Sequence, residues 1–429
     1  MRSLVLLITL LAGCRPPADS PVRVTYWEKW SGTEAAAMQA VVDQFNQSQD
    51  RIVVEFLSLS NVDRKTIVAT AGGDPPDVAG LWLNNVYSFA DRNALTPLDE
   101  FMADTNWLAR YVPVYADMCR YRDRTWAVVS AAAVTGLHWN KRLFREAGLD
   151  PDRPPRTRAE LDEYAAKLTK RDPQTGAITQ LGFLPQEPNW FVWAYPQWFG
   201  GRYWDGQAIT LAGQTEWLRW VESYSRRYGL EQIKTFSSGF GNFNSPQNPF
   251  LAGKVAMVVQ GVWMNSFIER FAPGLEYGVA AWPAEQPGFA MADADLLVIP
   301  RGAKHPREAW EFIQFVASHN PHAKSRDELR GGELLCFLQQ KNSPLRDWSP
   351  FFTTQHPHPH IRVFRQLAES PNAIHIPKLG IWEEYRRELL MAFDAVRLLT
   401  RTPEEAVAFA DERMRASWEL HRRSLERRR

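Results

Sequence analysis

Cysteine is almost missing: the 429-residue chain holds 3, at positions 14, 119 and 336, too few for a disulfide framework to carry the fold. Neither charge is in surplus. Lys+Arg at 50 against Asp+Glu at 49 leave a formal net charge of +1, so the chain lacks the basic footprint that nucleic acid or an anionic membrane would require. Past the first residues no apolar run reaches membrane length, and no repeat or heptad pattern appears. Gly-x-Ser-x-Gly, a phosphate loop and His-Glu-x-x-His are all absent, which removes the commonest catalytic signatures and any motif for a cofactor. What is abundant is tryptophan. Its 18 copies are an outlier for this length, and a chain of 45% hydrophobic residues can bury a core large enough for two domains.

At the N-terminus Arg2 precedes the apolar run Leu4 to Leu11, too short to span a bilayer and suited to a signal-peptide core. The run ends in Leu11-Ala12-Gly13-Cys14, which resembles the lipobox of bacterial lipoproteins. That resemblance implies a signal peptide at 1–13, a lipidated Cys14 as mature N-terminus, and a place in the cell envelope where only the lipid meets the membrane. A plain secretory signal with an incidental cysteine is the alternative. Residues 14–20, with Pro16 and Pro17, read as a tether. Cys119 and Cys336 are either two buried thiols or one optional bridge.

Periodicity predicts an α/β fold. Val22 to Trp27 is β-prone, Ser31 and Glu34 are spaced as a capping box, Met38, Val41, Val42 and Phe45 fall on one helical face, and Ile52 to Leu57 is β-prone again. This is a β-α-β unit, the mark of a parallel sheet. Helical faces recur at Leu161, Tyr164, Ala165 and Leu168 behind a Thr157/Glu160 cap, at Trp217, Trp220, Val221 and Tyr224, and at Ala309, Phe312, Ile313 and Val316. Thr402-Pro403-Glu404-Glu405 opens a last, long helix.

Several segments, in order, resemble the extracellular solute-binding proteins of ABC importers, in the sugar-binding family that includes maltose-binding protein. They are Gly72 to Val78, a helix stop and a turn into a buried strand, with Trp82 beyond; Leu137 to Lys141; Pro154 to Thr157; and Phe250 to Met257 followed by Gly261-Val262-Trp263. The resemblance covers nearly the whole mature chain. It implies a periplasmic-binding-protein type II fold: two α/β lobes, each a mainly parallel sheet flanked by helices, joined by hinge crossovers. It places one lobe at 21–130 plus 291–349 and the other at 131–290 plus 350–429. A ligand would lie between them and be buried on hinge closure. The implied function is binding of a small carbohydrate or polyol for delivery to ABC permease subunits, by a monomer that catalyses nothing.

A pyranose needs flat aromatic surface for its C–H face and polar side chains for its hydroxyl rim. The resemblance places Trp263 and Trp382 as stacking platforms and Glu187, within Gln186-Glu187-Pro188, as a hydroxyl acceptor. The aromatic that should follow is Asn189, with Trp190 next, so Trp190 stands as the ring candidate. Trp30 and Glu34 lie at the first β-α turn, and Trp82 and Asn85 beyond the Asp77-Val78 strand. Open α/β sheets bind ligands outside the carboxyl ends of such strands. Glu34 and Asn85 could instead cap helices. Around Ser130 to Ala133, where the family has a carboxylate, three alanines stand. Asp293, where relatives often have glycine, is a candidate to take over that contact or else a solvated loop acid. His356, His358 and His360 alternate with prolines and lack a neighbouring Cys or carboxylate, so no metal is expected there. A Trp-rich cleft also suits a glycoside hydrolase with two carboxyls formed in space, and a surface sensor or scaffold lipoprotein is a third reading.

Overall fold

A computed structural model describes residues 20–102, 106–204 and 209–427. Cys14, the signal segment and the tether up to residue 19 lie outside the described residues.

The chain opens with the expected β-α-β unit. β1 (Val22–Glu28) and β2 (Ile52–Ser58) pair in parallel from Val22↔Ile52 to Glu28↔Ser58, with α1 (Gly32–Gln47) between them. Met38, Val41, Val42 and Phe45 are buried, as their spacing predicts. Gly73, in the left-handed region at φ 81°, stops α2 (Val62–Gly72), and the chain turns into β3 (Val78–Trp82). Asp77 fastens this turn. Its Oδ2 accepts from the Thr25 amide at 2.9 Å, and its Oδ1 accepts from the His305 amide at 2.8 Å.

α3 (Leu83–Asp91) follows directly. β4 (Val128–Asn140) is buried along its whole length, as a strand sandwiched on both faces must be. α4 (Arg158–Leu168) carries the predicted cap, Thr157 accepting from the Glu160 amide. α5 (Glu216–Tyr228) buries Trp217, Trp220, Val221 and Tyr224. β5 (Met257–Gly261), α6 (Met264–Phe271), β6 (Tyr277–Ala280) and β7 (Ala290–Val298) come next. Then α7 (Pro306–Val316) and α8 (Gly331–Leu338) pack beside α1. β8 (Ala373–Ile374), α9 (Trp382–Arg397) and α10 (Pro403–Glu426) complete the chain, the last behind a full capping box at Thr402 and Glu405.

The sheet runs β6-β4-β7-β3-β1-β2, with β5 also on β4 and β8 on β7. β1 is parallel to β2 and β3, and β7 to β8; the other pairings are antiparallel. β4 is shared by two groups of strands. Its first part, up to Val134, pairs with β7, while Thr135 to Asn140 pair with β5 and β6. Cys119 and Cys336 are buried free thiols, the first of the two alternatives that the sequence left open.

The capping box expected at Ser31 and Glu34 does not form. Ser31 sits at the N-cap of α1 without a side-chain hydrogen bond, and the Glu34 carboxylate that would close the other half of the box is held by Lys341.

Candidate functional site

A cleft of about 460 Å³ opens where the β1–α1 turn, β7 and the segment after α8 face α6 and two aromatic loops. This is within the usual size of a small-molecule site.

One wall is built around Trp30. Gly32, at φ 58°, lets the chain leave β1 and enter α1 with a sharp turn, which leaves Lys29 and Trp30 under the helix start. Lys29 Nζ lies 3.0 Å from Glu28 Oε1 and 3.0 Å from Asp295 Oδ1. Lys341 Nζ lies 2.8 Å from Glu34 Oε1 and 3.3 Å from Asp295 Oδ2. Asp295 thus bridges two ammonium groups. Those groups flank the Trp30 ring at 4.9 and 5.3 Å from its centroid, and Lys29 also reaches Trp82 at 5.4 Å, cation–π contacts that hold the indoles in place. Burial works against both lysines, but their carboxylate partners outweigh it and raise their pKa values. Burial likewise opposes ionisation of Asp295, and the two lysines overcome it, holding the carboxyl below its ordinary value. Behind them, Tyr26 Oη donates to Glu28 Oε2 at 2.6 Å. Gly80 leaves the space that this carboxylate occupies, since a Cβ there would collide with it.

Asp293 lies two residues before Asp295 on β7, opposite Ala133 of β4, where the small side chain leaves room. Its Oδ1 accepts from the Ala294 amide at 2.8 Å, but it has no lysine of its own. Burial pushes its carboxyl up to about 7, and the neighbouring Asp295 adds to the rise.

The opposite wall is aromatic. Trp190, on the short 3-10 turn Asn189–Ala194, meets Phe243 edge-on with centroids 4.6 Å apart, and Phe243 meets Phe267 of α6 at 5.3 Å. Trp263 stands at the N-cap of α6, folded back over Gly261, whose missing side chain is what admits the ring. Ser266, Arg270 and Asn244 supply polar atoms to the same wall. Rings on one side and anchored hydrogen-bonding groups on the other can hold a flat, hydroxylated molecule. Among the described residues no cluster of His, Cys, Asp and Glu is arranged to hold a metal ion.

Residues 29–321 match the family model of the bacterial extracellular solute-binding proteins. The chain belongs to this family. Among the solute-binding proteins it is 22% identical over 334 residues to the maltotriose-binding protein of Pyrococcus abyssi, a match spanning 75% of this chain and 68% of that protein. The structure of CpMnBP1 with mannotriose bound superposes with a TM-score of 0.78 at 26% identity, covering 92% of this chain and 100% of that one. The maltodextrin-binding domain MalE of Bdellovibrio bacteriovorus, bound to maltotriose, shares the fold with a TM-score of 0.70 at 14% identity, over 93% and 100% of the two chains. Members of this family are extracellular or periplasmic binding proteins.

Of the residues picked from sequence, the cleft of this solute-binding protein brings together Trp30, Glu34, Trp82, Trp190, Trp263 and Asp293. Three others do not line it. Trp382 is fully buried at the start of α9, edge-on to Trp193 at 5.4 Å and to Tyr203 at 5.8 Å, and stacked on Tyr385 at 5.7 Å. It is a core residue. Asn85 is buried within the first turn of α3, whose N-cap is Trp82, so it faces neither the cleft nor a capping role. Glu187, half-buried beside Pro188, is not among the lining residues, and burial raises its carboxyl to about 7. Sequence reasoning passed over Lys29, Asp295 and Lys341. Asp295 had a signal, since alternate residues of a strand share a face and Asp293 was already singled out. Lys341 had none, because only the fold carries it to Lys29.

Asp293 gives a measurable pH effect. Its carboxyl ionises more readily unfolded, near 3.9, than folded, near 7. The protonated form therefore favours the folded state, fully so below the unfolded value, and this support fades as pH rises from about 4 through 7. Asp293→Asn should accordingly raise the melting temperature by a few degrees at pH 8 and by less at pH 5, followed by circular dichroism without ligand. Equal gains at both pH values would contradict an enclosed, poorly paired carboxyl.

Proposed function

We propose that the cleft binds a neutral oligosaccharide, without cleaving it, and that the protein carries it to the permease of an ABC importer. The observation that carries this reading is the pairing of the two walls: Trp190, Phe243, Trp263 and Phe267 offer ring faces, while Trp30, Glu34 and Asp293 face them from a lysine-braced scaffold. Indole faces suit the C–H side of a sugar, and the braced polar groups suit its hydroxyls. CpMnBP1, whose structure holds mannotriose, and a relative named for maltotriose support the same class of ligand. The glycerol-3-phosphate-binding proteins of Yersinia match over only 41% of this chain, which makes a phosphate ligand the lesser candidate. Titration calorimetry with mannotriose, maltotriose and glycerol 3-phosphate tests it. Saturable heat with an oligosaccharide supports the carrier; an empty result with every sugar overturns it.

One observation favours a second reading, a glycoside hydrolase. Asp293 and Asp295 have environments that push their pKa values apart, the pattern of an acid paired with an ionised partner. Against it, the two carboxyls stand side by side on one face of β7, whereas glycosidases place theirs on either side of the scissile bond. Chromatography of the incubated sugar decides, since any shortened product would favour the enzyme.

Lipidation of Cys14 belongs to the same proposal and anchors the carrier in the cell envelope. Mass spectrometry of the mature N-terminus should find a diacylated Cys14, and a start at Arg15 or beyond would refute the anchor.

A further inference from the structure

Between Gln339 and Lys341, both lining the cleft, stands Gln340, a non-glycine residue held at φ 57°. That backbone conformation is unfavourable for an ordinary side chain, and it turns the amide across the cleft to α6. There Gln340 Oε1 accepts from Asn265 Nδ2 at 2.6 Å, and Gln340 Nε2 donates to Glu269 Oε2 at 2.7 Å. Asn265 Nδ2 also donates to Glu269 Oε1 at 3.1 Å, closing a ring of three side chains. The ring is rooted in the interior. Asn265 Oδ1 accepts from Tyr277 Oη at 2.6 Å, and the Tyr277 ring stacks on His138 of β4 and meets His360 edge-on at 4.8 Å. On its other side Gln340 is bonded to Lys341, which is pinned to Glu34 and Asp295. Two successive residues therefore grip opposite walls: Lys341 the scaffold around Trp30, and Gln340 the helix that bears Trp263, Ser266, Phe267 and Arg270.

We propose that Gln340 is a positioning residue, a tie between the walls that fixes the angle of α6 and so sets ligand affinity without touching the ligand. Only the affinity part rests on the oligosaccharide reading; the angular restraint stands on the ring of hydrogen bonds alone. If the tie is cut, the binding-competent arrangement becomes one of several, and apparent affinity falls by the fraction lost.

The test uses the full chain carrying Cys14→Ser, with spin labels at Val68→Cys and Glu231→Cys, both strongly exposed positions on opposite lobes. Gln340→Glu removes the donor and sets a second carboxylate against Glu269. It should broaden the inter-label distance distribution and weaken mannotriose binding roughly fivefold, while the melting temperature stays within a few degrees. Adding Glu269→Gln restores a donor–acceptor pair of reversed polarity, so the double variant should recover the narrow distribution and the affinity. A residue that merely supported local folding would show no such rescue. An unchanged distribution in Gln340→Glu, or a broadened one that Glu269→Gln does not narrow, overturns the tie. Broadening with mannotriose affinity intact overturns the link to affinity. If the parent chain binds neither mannotriose nor maltotriose, the ligand reading fails, and the distance distributions still decide the tie.

Discussion

Trp382→Ala is expected to destabilise the protein by about 3–5 kcal/mol in chemical denaturation, the range for truncating a buried large aromatic. The ring is fully buried and touches Trp193, Tyr203 and Tyr385, so its removal leaves a cavity that a close-packed aromatic cluster can fill only in part. Mannotriose affinity of the folded protein should be unchanged. A stable variant with lost affinity would return Trp382 to the ligand site.

Trp263→Ala should do the reverse. The ring is half-buried against Phe191 at 6.3 Å and faces the cleft, so its loss removes ligand contact and little core. A weakening of roughly tenfold or more, about 1.4 kcal/mol, is expected by calorimetry, with a melting temperature within a few degrees of the parent. Severe destabilisation with normal affinity would show that the indole is structural. Measured side by side, the two substitutions separate a tryptophan that holds the fold from one that meets the ligand.

That contrast also shows what was legible in the sequence. The β-α-β opening, the helical faces and the caps at Thr157 and Thr402 were readable because each depends on neighbours in the chain. Trp263 was legible only through the family motif that carries it, and the structure adds why Gly261 stands two residues before it, leaving room for the ring. Trp382 was misplaced because its motif position outweighed its own periodicity: Tyr385, Leu389, Ala392, Phe393 and Val396 continue its buried stripe along α9, and a residue at the head of such a stripe belongs to the core. Glu34 resisted assignment because a cap and a cleft acceptor have the same spacing, and only Lys341, brought in from a distant part of the chain, decides between them. The cross-cleft ring of Gln340, Asn265 and Glu269 was beyond reach for the same reason, since nothing local marks residues that meet through tertiary folding.

The course of Val128–Asn140 carries a mechanical consequence. Because one continuous strand is paired with Ala292–Leu297 at one end and with Met257–Gly261 and Tyr277–Ala280 at the other, neither half of the molecule can melt without stripping bonds from the ribbon that the other half needs. Heat should therefore undo both in a single calorimetric step, and any swing of one half against the other must be a torsion of shared ribbon, springy and self-restoring, in place of free play at a slack joint.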